Sequence, residues 1–224
     1  MSAPQSWVDV ARLRQGLYRF YGAALLEPAA ERLTALAAAT GYLDTLGVEA
    51  FAYATTWAEV HRVMQSEVSS DTLRREHARL FGSGVDGAPA PAMESFYAGP
   101  ADQGKVGTSL ASLERDYRSL GVAPAPFGSV SPDHVSTELE VLALLCAREG
   151  SAWEREDHVG ALSELRHQDR FLRSHLSSWL PLFLRRVVDA RPAPFYLAVV
   201  EATAAMVSHD LCFVGALLAQ GEGP

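Results

Sequence analysis

The sequence predicts an all-α protein of one domain, a helical bundle that spans residues 1–224. Apolar residues recur every three or four positions over most of the chain, which is the period of an amphipathic helix. Strand-like alternation between turn residues does not occur, and neither does an internal repeat. With 48% hydrophobic residues over this length, the chain can bury a core of its own. Helices packed on helices are therefore the expected architecture.

Four helices are predicted in the N-terminal part of the chain. Their predicted ranges are 6–26, 28–39, 48–68 and about 70–81. Pro28 suits the first turn of the second helix, and Gly41 is expected to end it, because glycine is common just after a helix. The fourth helix has Ser70 or Asp71 as its predicted N-cap residue.

Further helices are predicted after a long irregular segment. One covers residues 108–120 and one, strongly apolar and expected at the centre of the fold, covers 132–149. The next begins at Trp153 or Gly160 and ends at His175. Pro181 then marks a kink or a new first turn. The last long apolar helix covers residues 195–218.

Residues 82–104 form a predicted loop that is rich in glycine and proline. It is too long for a simple connection, so it is either functional or disordered. A methionine and two aromatic residues lie inside it, in the segment Met93-Glu94-Ser95-Phe96-Tyr97. Such side chains indicate that packing or a ligand holds this segment in place.

A second irregular stretch, residues 122–131, leads to a predicted helix start. Ser131 is expected to cap the helix, Pro132 to occupy its first position and Asp133 to favour the positive end of its dipole. With Glu138 and Glu140 close behind, this end is acidic, which favours a cationic ligand over an anion. The plain alternative is a well-capped helix with no ligand.

Composition excludes several classes of function. The net charge is −8 and the single lysine is Lys105, so nucleic acid is not an expected partner. Residues 1–15 lack an uninterrupted apolar stretch, so neither a secretory signal nor a membrane span is predicted there, and the protein is expected in the cytoplasm. Cys146 and Cys212 are predicted to be reduced core thiols, although the sequence leaves a disulfide between them open.

Enzymatic motifs are absent from the sequence. His134 and Glu138 are four residues apart on one predicted helix face and could share a metal, but no third ligand occurs at a defined spacing. No nucleophile motif or phosphate-binding loop is present. The sequence therefore predicts a non-enzyme without metal or cofactor. The alternatives are a small helical metal-dependent enzyme or a nucleotide-responsive regulator that uses His134 and Glu138.

The two irregular segments could converge into an acidic groove lined by aromatic residues. Carboxylates there would bind arginine side chains in charge-assisted hydrogen bonds, and aromatic rings would take apolar side chains. A peptide that carries arginines and an apolar stretch is thus the predicted ligand. The alternative is that both segments only close the core.

Three blocks occur in order along the chain: a helix end followed by a proline-rich segment, a helix start, and a helix with spaced aromatic residues. They are Glu76-His77-Ala78-Arg79-Leu80-Phe81 with Pro91-Ala92-Met93-Glu94-Ser95-Phe96-Tyr97, Pro132-Asp133-His134 with Glu138-Leu139, and Phe171-Leu172 with His175-Leu176 and Trp179-x-Pro181. Together they resemble the TorD/DmsD family of redox-enzyme maturation chaperones, which includes NarJ-like members. The chain departs from the family pattern at His77, at Ala92 and after Gly82, where no proline follows.

The resemblance implies an all-helical cytoplasmic chaperone without catalytic activity. Its partner would be the precursor of a molybdopterin-containing oxidoreductase subunit, which it would bind through the twin-arginine signal peptide or the apoprotein, before cofactor insertion and export. The protein would be a monomer or a helix-swapped homodimer. The resemblance places these residues at or beside the peptide-binding site: Pro132, Asp133, His134, Glu138, Glu94, Ser95, Phe96 and Tyr97.

Overall fold

The structure is a computed structural model that describes residues 6–48, 51, 53–66, 69–82, 87–97, 106–122 and 130–221. In these residues the chain forms α-helices and a short 3-10 helix at Glu94–Phe96, which confirms the predicted all-α class. The helices are α1 (Trp7–Ala24), α2 (Ala30–Thr45), α3 (Ala54–Met64), α4 (Ser70–Phe81), α5 (Val106–Ser119), α6 (Val135–Glu154), α7 (His158–Ser174), α8 (Leu176–Asp189) and α9 (Pro194–Gly221). Parts of both predicted irregular segments, residues 83–86, 98–104 and 123–129, lie outside the described residues.

Several predicted helix ends are wrong. Pro28 lies before α2, whose N-cap is Ala29. Gly41 does not end α2, which continues to Thr45. The reason is tertiary: Leu43 is 1% exposed and packs against Gly16 of α1, so burial of the last turn outweighs the cost of a glycine inside the helix. The N-cap of α4 is Ser69, not Ser70 or Asp71, and its side chain accepts a hydrogen bond from the backbone N–H of Thr72 at 3.2 Å.

The break between α7 and α8 falls at His175, where φ is −122° and ψ is −96°. Pro181 lies inside α8 and neither ends it nor starts it. The helix that precedes the break therefore ends where the sequence predicts. The new helix begins five residues before the proline that was expected to mark it.

Helices α1 and α6 lie side by side through the centre of the bundle. Small residues allow this close approach. A Cβ atom on Gly22 would lie 3.4 Å from the carbonyl oxygen of Ser136, and one on Gly150 would lie 3.4 Å from the Cβ of Ala11. The central position predicted for the apolar helix that follows Pro132 is thus confirmed, and most of its residues are buried.

A buried ion cluster ties this pair to two other helices. The guanidinium of Arg14 on α1 donates to both oxygens of Asp210 on α9, at 3.0 and 2.9 Å, and to Glu149 on α6 at 2.7 Å. It also bonds the side chain of Gln168 on α7. Burial alone would raise the pKa of Asp210, but the positive charge of Arg14 and hydrogen bonds to the carboxylate hold that pKa below its ordinary value.

Both cysteines are free thiols, so no disulfide joins them. Cys146 is buried beside Gln168, with 3.7 Å between its sulfur and the amide oxygen, as a core thiol would be. Cys212 is exposed on α9, so the prediction of a core position for it is wrong. The apolar sequence around Cys212 forms a helix whose last turns are only partly covered.

Among the described residues, one segment is long and apolar enough to cross a membrane by length and composition, namely Pro194–Gln220 in α9. Core helices of soluble proteins commonly pass the same criterion. In the bundle α9 packs against α3, α7 and α8. Its first half supplies core residues such as Tyr196, Val200 and Met206.

We expect Arg14→Met to destabilise the protein strongly. Removing the guanidinium leaves Asp210 and Glu149 buried without a positive partner, which typically costs about 3–5 kcal/mol. Urea unfolding followed by circular dichroism measures this loss. As a control, Arg62→Met removes an exposed arginine that pairs with Glu59, and it should leave the unfolding midpoint nearly unchanged. Equal midpoints for both variants would contradict a structural role for the cluster.

Candidate functional site

The segments that contain Glu94 and Asp133 meet in the structure. The backbone N–H of Glu94 donates to the carbonyl oxygen of Asp133 at 2.9 Å. The backbone N–H of Val135 donates to the carbonyl oxygen of Ala92, also at 2.9 Å. An isolated antiparallel bridge joins Met93 to His134. The two irregular segments therefore meet, as expected, whereas the acidic groove between them stays a prediction. Their contact consists of a short backbone pairing between the 3-10 helix and the start of α6.

The Asp133 side chain fastens this pairing from inside. Its carboxylate accepts a hydrogen bond from the backbone N–H of Ser95 at 3.3 Å and a second one from the hydroxyl of Ser131. Asp133 is only 4% exposed. Its role in peptide binding stays a prediction. In the structure, the Asp133 carboxylate orders the segment that contains Ser95.

His134, not Ser131, caps α6. Its Nδ1 accepts a hydrogen bond from the backbone N–H of Ser136 at 3.1 Å. Pro132 lies outside the helix, so its predicted place in the first turn is wrong. The pKa of His134 is lowered to about 4, mainly by burial and to a smaller extent by the charge of the nearby His77. The imidazole is therefore neutral near pH 7 and can act as an acceptor.

Glu138 lies in the first turn of α6 and is completely buried. The indole N–H of Trp179 donates to one of its oxygens at 3.3 Å, and the other oxygen has no partner. Burial, and then the charge of Glu94, raise the pKa of Glu138 well above its ordinary value. Because it is completely buried, Glu138 offers no carboxylate at the surface of the protein.

His175 joins the 3-10 helix to α5. Its Nδ1 lies 3.2 Å from a carboxylate oxygen of Glu94, and its Nε2 lies 3.0 Å from one of Asp116. Burial alone would lower the pKa of His175, but Glu94 and then Asp116 raise it above its ordinary value. The two carboxylates thus favour the protonated form of the imidazole between them. These two contacts give His175 a structural role in the bundle.

Asp116 is the residue of this cluster that the sequence does not reveal. It lies on α5, 59 residues from His175 in the chain, and no motif connects the two. Its side chain is 38% exposed, whereas that of Glu94 is 11% exposed. Of the two carboxylates that pair with His175, Asp116 is thus the more accessible to a ligand.

Aromatic residues surround the 3-10 helix. The Tyr97 ring stacks on Trp179 with 5.3 Å between centroids, and its hydroxyl donates to the carbonyl oxygen of Pro91 at 2.8 Å. The guanidinium of Arg186 lies 5.2 Å from the centre of the Tyr97 ring. Phe96, in contrast, is 50% exposed, so a large apolar side chain is held at the surface of a well-anchored turn.

The two residues of the predicted metal alternative have separate contacts. His134 uses Nδ1 to cap a helix, and Glu138 lies against Trp179. Throughout the described ranges, no three His, Cys, Asp or Glu side chains lie together in a way that could hold a metal ion. The geometry of the described residues therefore gives the metal alternative no support.

Comparison with known proteins identifies the family. Residues 48–185 match the model of the nitrate reductase delta subunit family. The chain belongs to this family. All three sequence blocks lie within the matched residues, and the match confirms the predicted resemblance to the NarJ-like and TorD-like maturation chaperones.

Two curated relatives of this delta subunit family member are assembly chaperones. The selenate reductase assembly chaperone protein of Thauera selenatis is 32% identical over 155 residues, which are 67% of this chain and 77% of the relative. The chlorate reductase assembly chaperone protein of Ideonella dechloratans is 30% identical with the same coverage. A solved structure described as a redox enzyme maturation protein, from Archaeoglobus fulgidus, aligns at 18% identity with a TM-score of 0.49 over 90% of this chain and 93% of that one.

We expect the neutral cap to make stability depend on pH. The unfolded chain protonates His134 near pH 6.5, whereas the folded protein resists protonation until about pH 4. Stability from this residue is therefore present above pH 6.5 and is lost as the pH falls toward 4, by about 1.4 kcal/mol per pH unit.

His134→Asn keeps a capping side chain but removes the titrating group. Urea unfolding of both proteins at several pH values from 4 to 8 isolates the effect, since all other titrating groups are shared. The wild type should lose stability relative to the variant below pH 6.5. A constant difference over the whole range would show that His134 does not stay neutral in the folded protein.

Proposed function

We propose that this protein is a cytoplasmic assembly chaperone for a molybdenum-cofactor oxidoreductase and that it catalyses no covalent chemistry. Membership of the delta subunit family, together with two relatives that are named assembly chaperones, supports the role of an assembly chaperone. The proposal that the protein binds a signal peptide rests on the anchored turn, which presents Phe96 beside a carboxylate cluster.

The proposed ligand at this turn is the twin-arginine signal peptide of the client precursor. Phe96 supplies exposed apolar surface for the hydrophobic stretch of such a peptide. Leu182 on α8, the helix that contacts the 3-10 helix, is also about half exposed. When the hydrophobic stretch of the signal peptide packs on this surface, it is shielded from aggregation.

The arginines of the signal peptide need carboxylate partners. Asp116 is the proposed direct partner, because its side chain is partly exposed and lies beside His175. Asp133 is proposed to act as a positioning residue, since its carboxylate holds the N–H of Ser95 and thereby the turn that carries Phe96. Pro132, His134 and Glu138 would support the start of α6 beneath the site.

Release follows from the same geometry. Binding at an exposed ring and a partly exposed carboxylate involves contacts that water can replace, so the complex would form and dissociate without chemical change. Such reversible binding suits a protein that holds an unfinished enzyme until its cofactor is inserted and then lets it proceed to export.

Calorimetry with purified full-length protein tests this function. Twin-arginine signal peptides and apoproteins of candidate molybdenum-cofactor oxidoreductases are titrated, each peptide beside a version in which both arginines are alanine. We expect binding of the client signal peptide and at least tenfold weaker binding of its alanine version. If no leader and no apoprotein binds, the chaperone proposal fails.

Two variants separate the proposed roles at the site. Asp133→Ala should weaken signal-peptide binding while leaving the helical content intact, because it releases the turn at Ser95 without removing a helix contact. Asp116→Asn should weaken binding of the natural peptide more than that of its alanine version. Affinities equal to the wild type for Asp133→Ala would remove Asp133 from the site.

The apolar contact has a test of its own. Phe96→Ser removes an exposed ring, so we expect at least fivefold weaker signal-peptide binding with little change in the urea midpoint. The control is Val159→Ser, which removes an exposed apolar side chain on α7, outside the residues proposed to bind the signal peptide. Equal effects of both substitutions on binding would argue for nonspecific apolar contact.

A further inference from the structure

A groove separates α1 from α2 on the surface of the bundle. It has a volume of about 470 Å³ and lies apart from the residues proposed to bind the signal peptide. Its walls are mainly apolar and include Phe20 and Ala23 of α1 and Leu36 and Ala39 of α2. The small side chains on α2 leave space between the two helices.

The charged residues that line the groove are all arginines: Arg12, Arg19 and Arg32. This is unexpected in a chain with a net charge of −8. Arg12 pairs with Glu154 and, at 3.9 Å, with Asp9, and Arg19 pairs with Glu140 at 3.5 Å. All of these side chains are at least one-third exposed, so their ion pairs are weak and can be exchanged. Arg32 donates to the backbone carbonyl of Glu27, and within the part of the chain that the structure describes it forms no ion pair with a carboxylate.

The spacing of the arginines indicates the shape of a partner. Arg12 and Arg19 are seven residues apart on α1, which corresponds to about 10 Å along the helix axis. From Arg12 to Ala23 the groove extends over about 16 Å, or three helical turns. An amphipathic helix with carboxylates two turns apart would match both guanidinium groups while its apolar side chains fill the groove.

We propose that the α1–α2 groove docks an acidic amphipathic helix of the client polypeptide, as a second contact besides the signal-peptide site. This inference rests on the proposed chaperone function, which supplies an unfinished polypeptide as the partner. The two sites would prefer opposite charges. The signal-peptide site would bind arginines and the groove would bind carboxylates, so each site would select a different segment of the client.

The probe for this proposal is a synthetic 18-residue helical peptide with leucines on one face and two glutamates seven residues apart beside them. A matched peptide carries glutamine in place of both glutamates. Fluorescence anisotropy with the full-length protein should show at least tenfold tighter binding of the glutamate peptide. Equal affinities for the two peptides would overturn the proposal.

Charge reversal on the protein gives the complementary measurement. Arg12→Glu with Arg19→Glu should weaken binding of the glutamate peptide at least tenfold. The matched control, Arg62→Glu with Arg173→Glu, reverses two exposed arginines that also form surface ion pairs, but on α3 and α7. It should leave the affinity within about twofold. Comparable losses in both double variants would overturn the proposal, because they would indicate only a general effect of net charge.

A substitution that fills the groove tests the apolar part without changing charge. Ala35 is an exposed residue of α2 that lines the groove, so Ala35→Trp should weaken peptide binding at least fivefold. Ala37→Trp places the same ring on the same helix outside the groove and should have no effect. Equal affinities for these two variants would also overturn the proposal.

Two further measurements distinguish client binding at the groove from self-association and from binding at the signal-peptide site. Sedimentation velocity of the wild type and the Arg12/Arg19 double variant shows whether a second copy of this chain occupies the groove. A wild type that is dimeric and a double variant that is monomeric would overturn the proposal. Signal-peptide binding is measured on the same preparations. Retained signal-peptide binding with no glutamate-peptide binding would reject the groove and leave the proposed function standing.

Discussion

The buried guanidinium of Arg14 is the interaction on which the arrangement of the helices depends. It joins α1 to α6, α7 and α9 through Glu149, Gln168 and Asp210. A charge in the interior is tolerable only when its hydrogen-bonding groups are satisfied, and these partners must come from different helices. The cluster therefore specifies which helices meet in the centre, whereas apolar packing around it would accept several arrangements.

Helix α6 connects this cluster to the candidate site. Glu149 near its C-terminal end belongs to the ion cluster, and His134 and Glu138 at its N-terminal end support the site. Any displacement of α6 along its axis would disturb both. The rigid position of α6 explains how a short 3-10 helix, held by two backbone hydrogen bonds and by the Asp133 carboxylate, can present Phe96 at a defined place.

The site residues divide into two groups that sequence motifs do not distinguish. Asp133, Glu94 and Glu138 lie in or beside the blocks that resemble the maturation chaperones, yet all three are buried. Phe96 and Asp116 are exposed or partly exposed, and Asp116 belongs to no block. Motifs in such a protein mark the residues that build the support, because that support requires particular hydrogen bonds. The surface that meets a client needs only the right character.

Periodicity and helix-end residues were sufficient to predict the all-α class and the central apolar helix. They depend on interactions between residues close in the chain, which a sequence displays directly. The continuation of α2 past Gly41, the cap at His134, the inward direction of Asp133 and the pairing of His175 with Asp116 were decided by the tertiary structure. Each depends on residues distant in sequence or on burial, and both arise only when the helices pack.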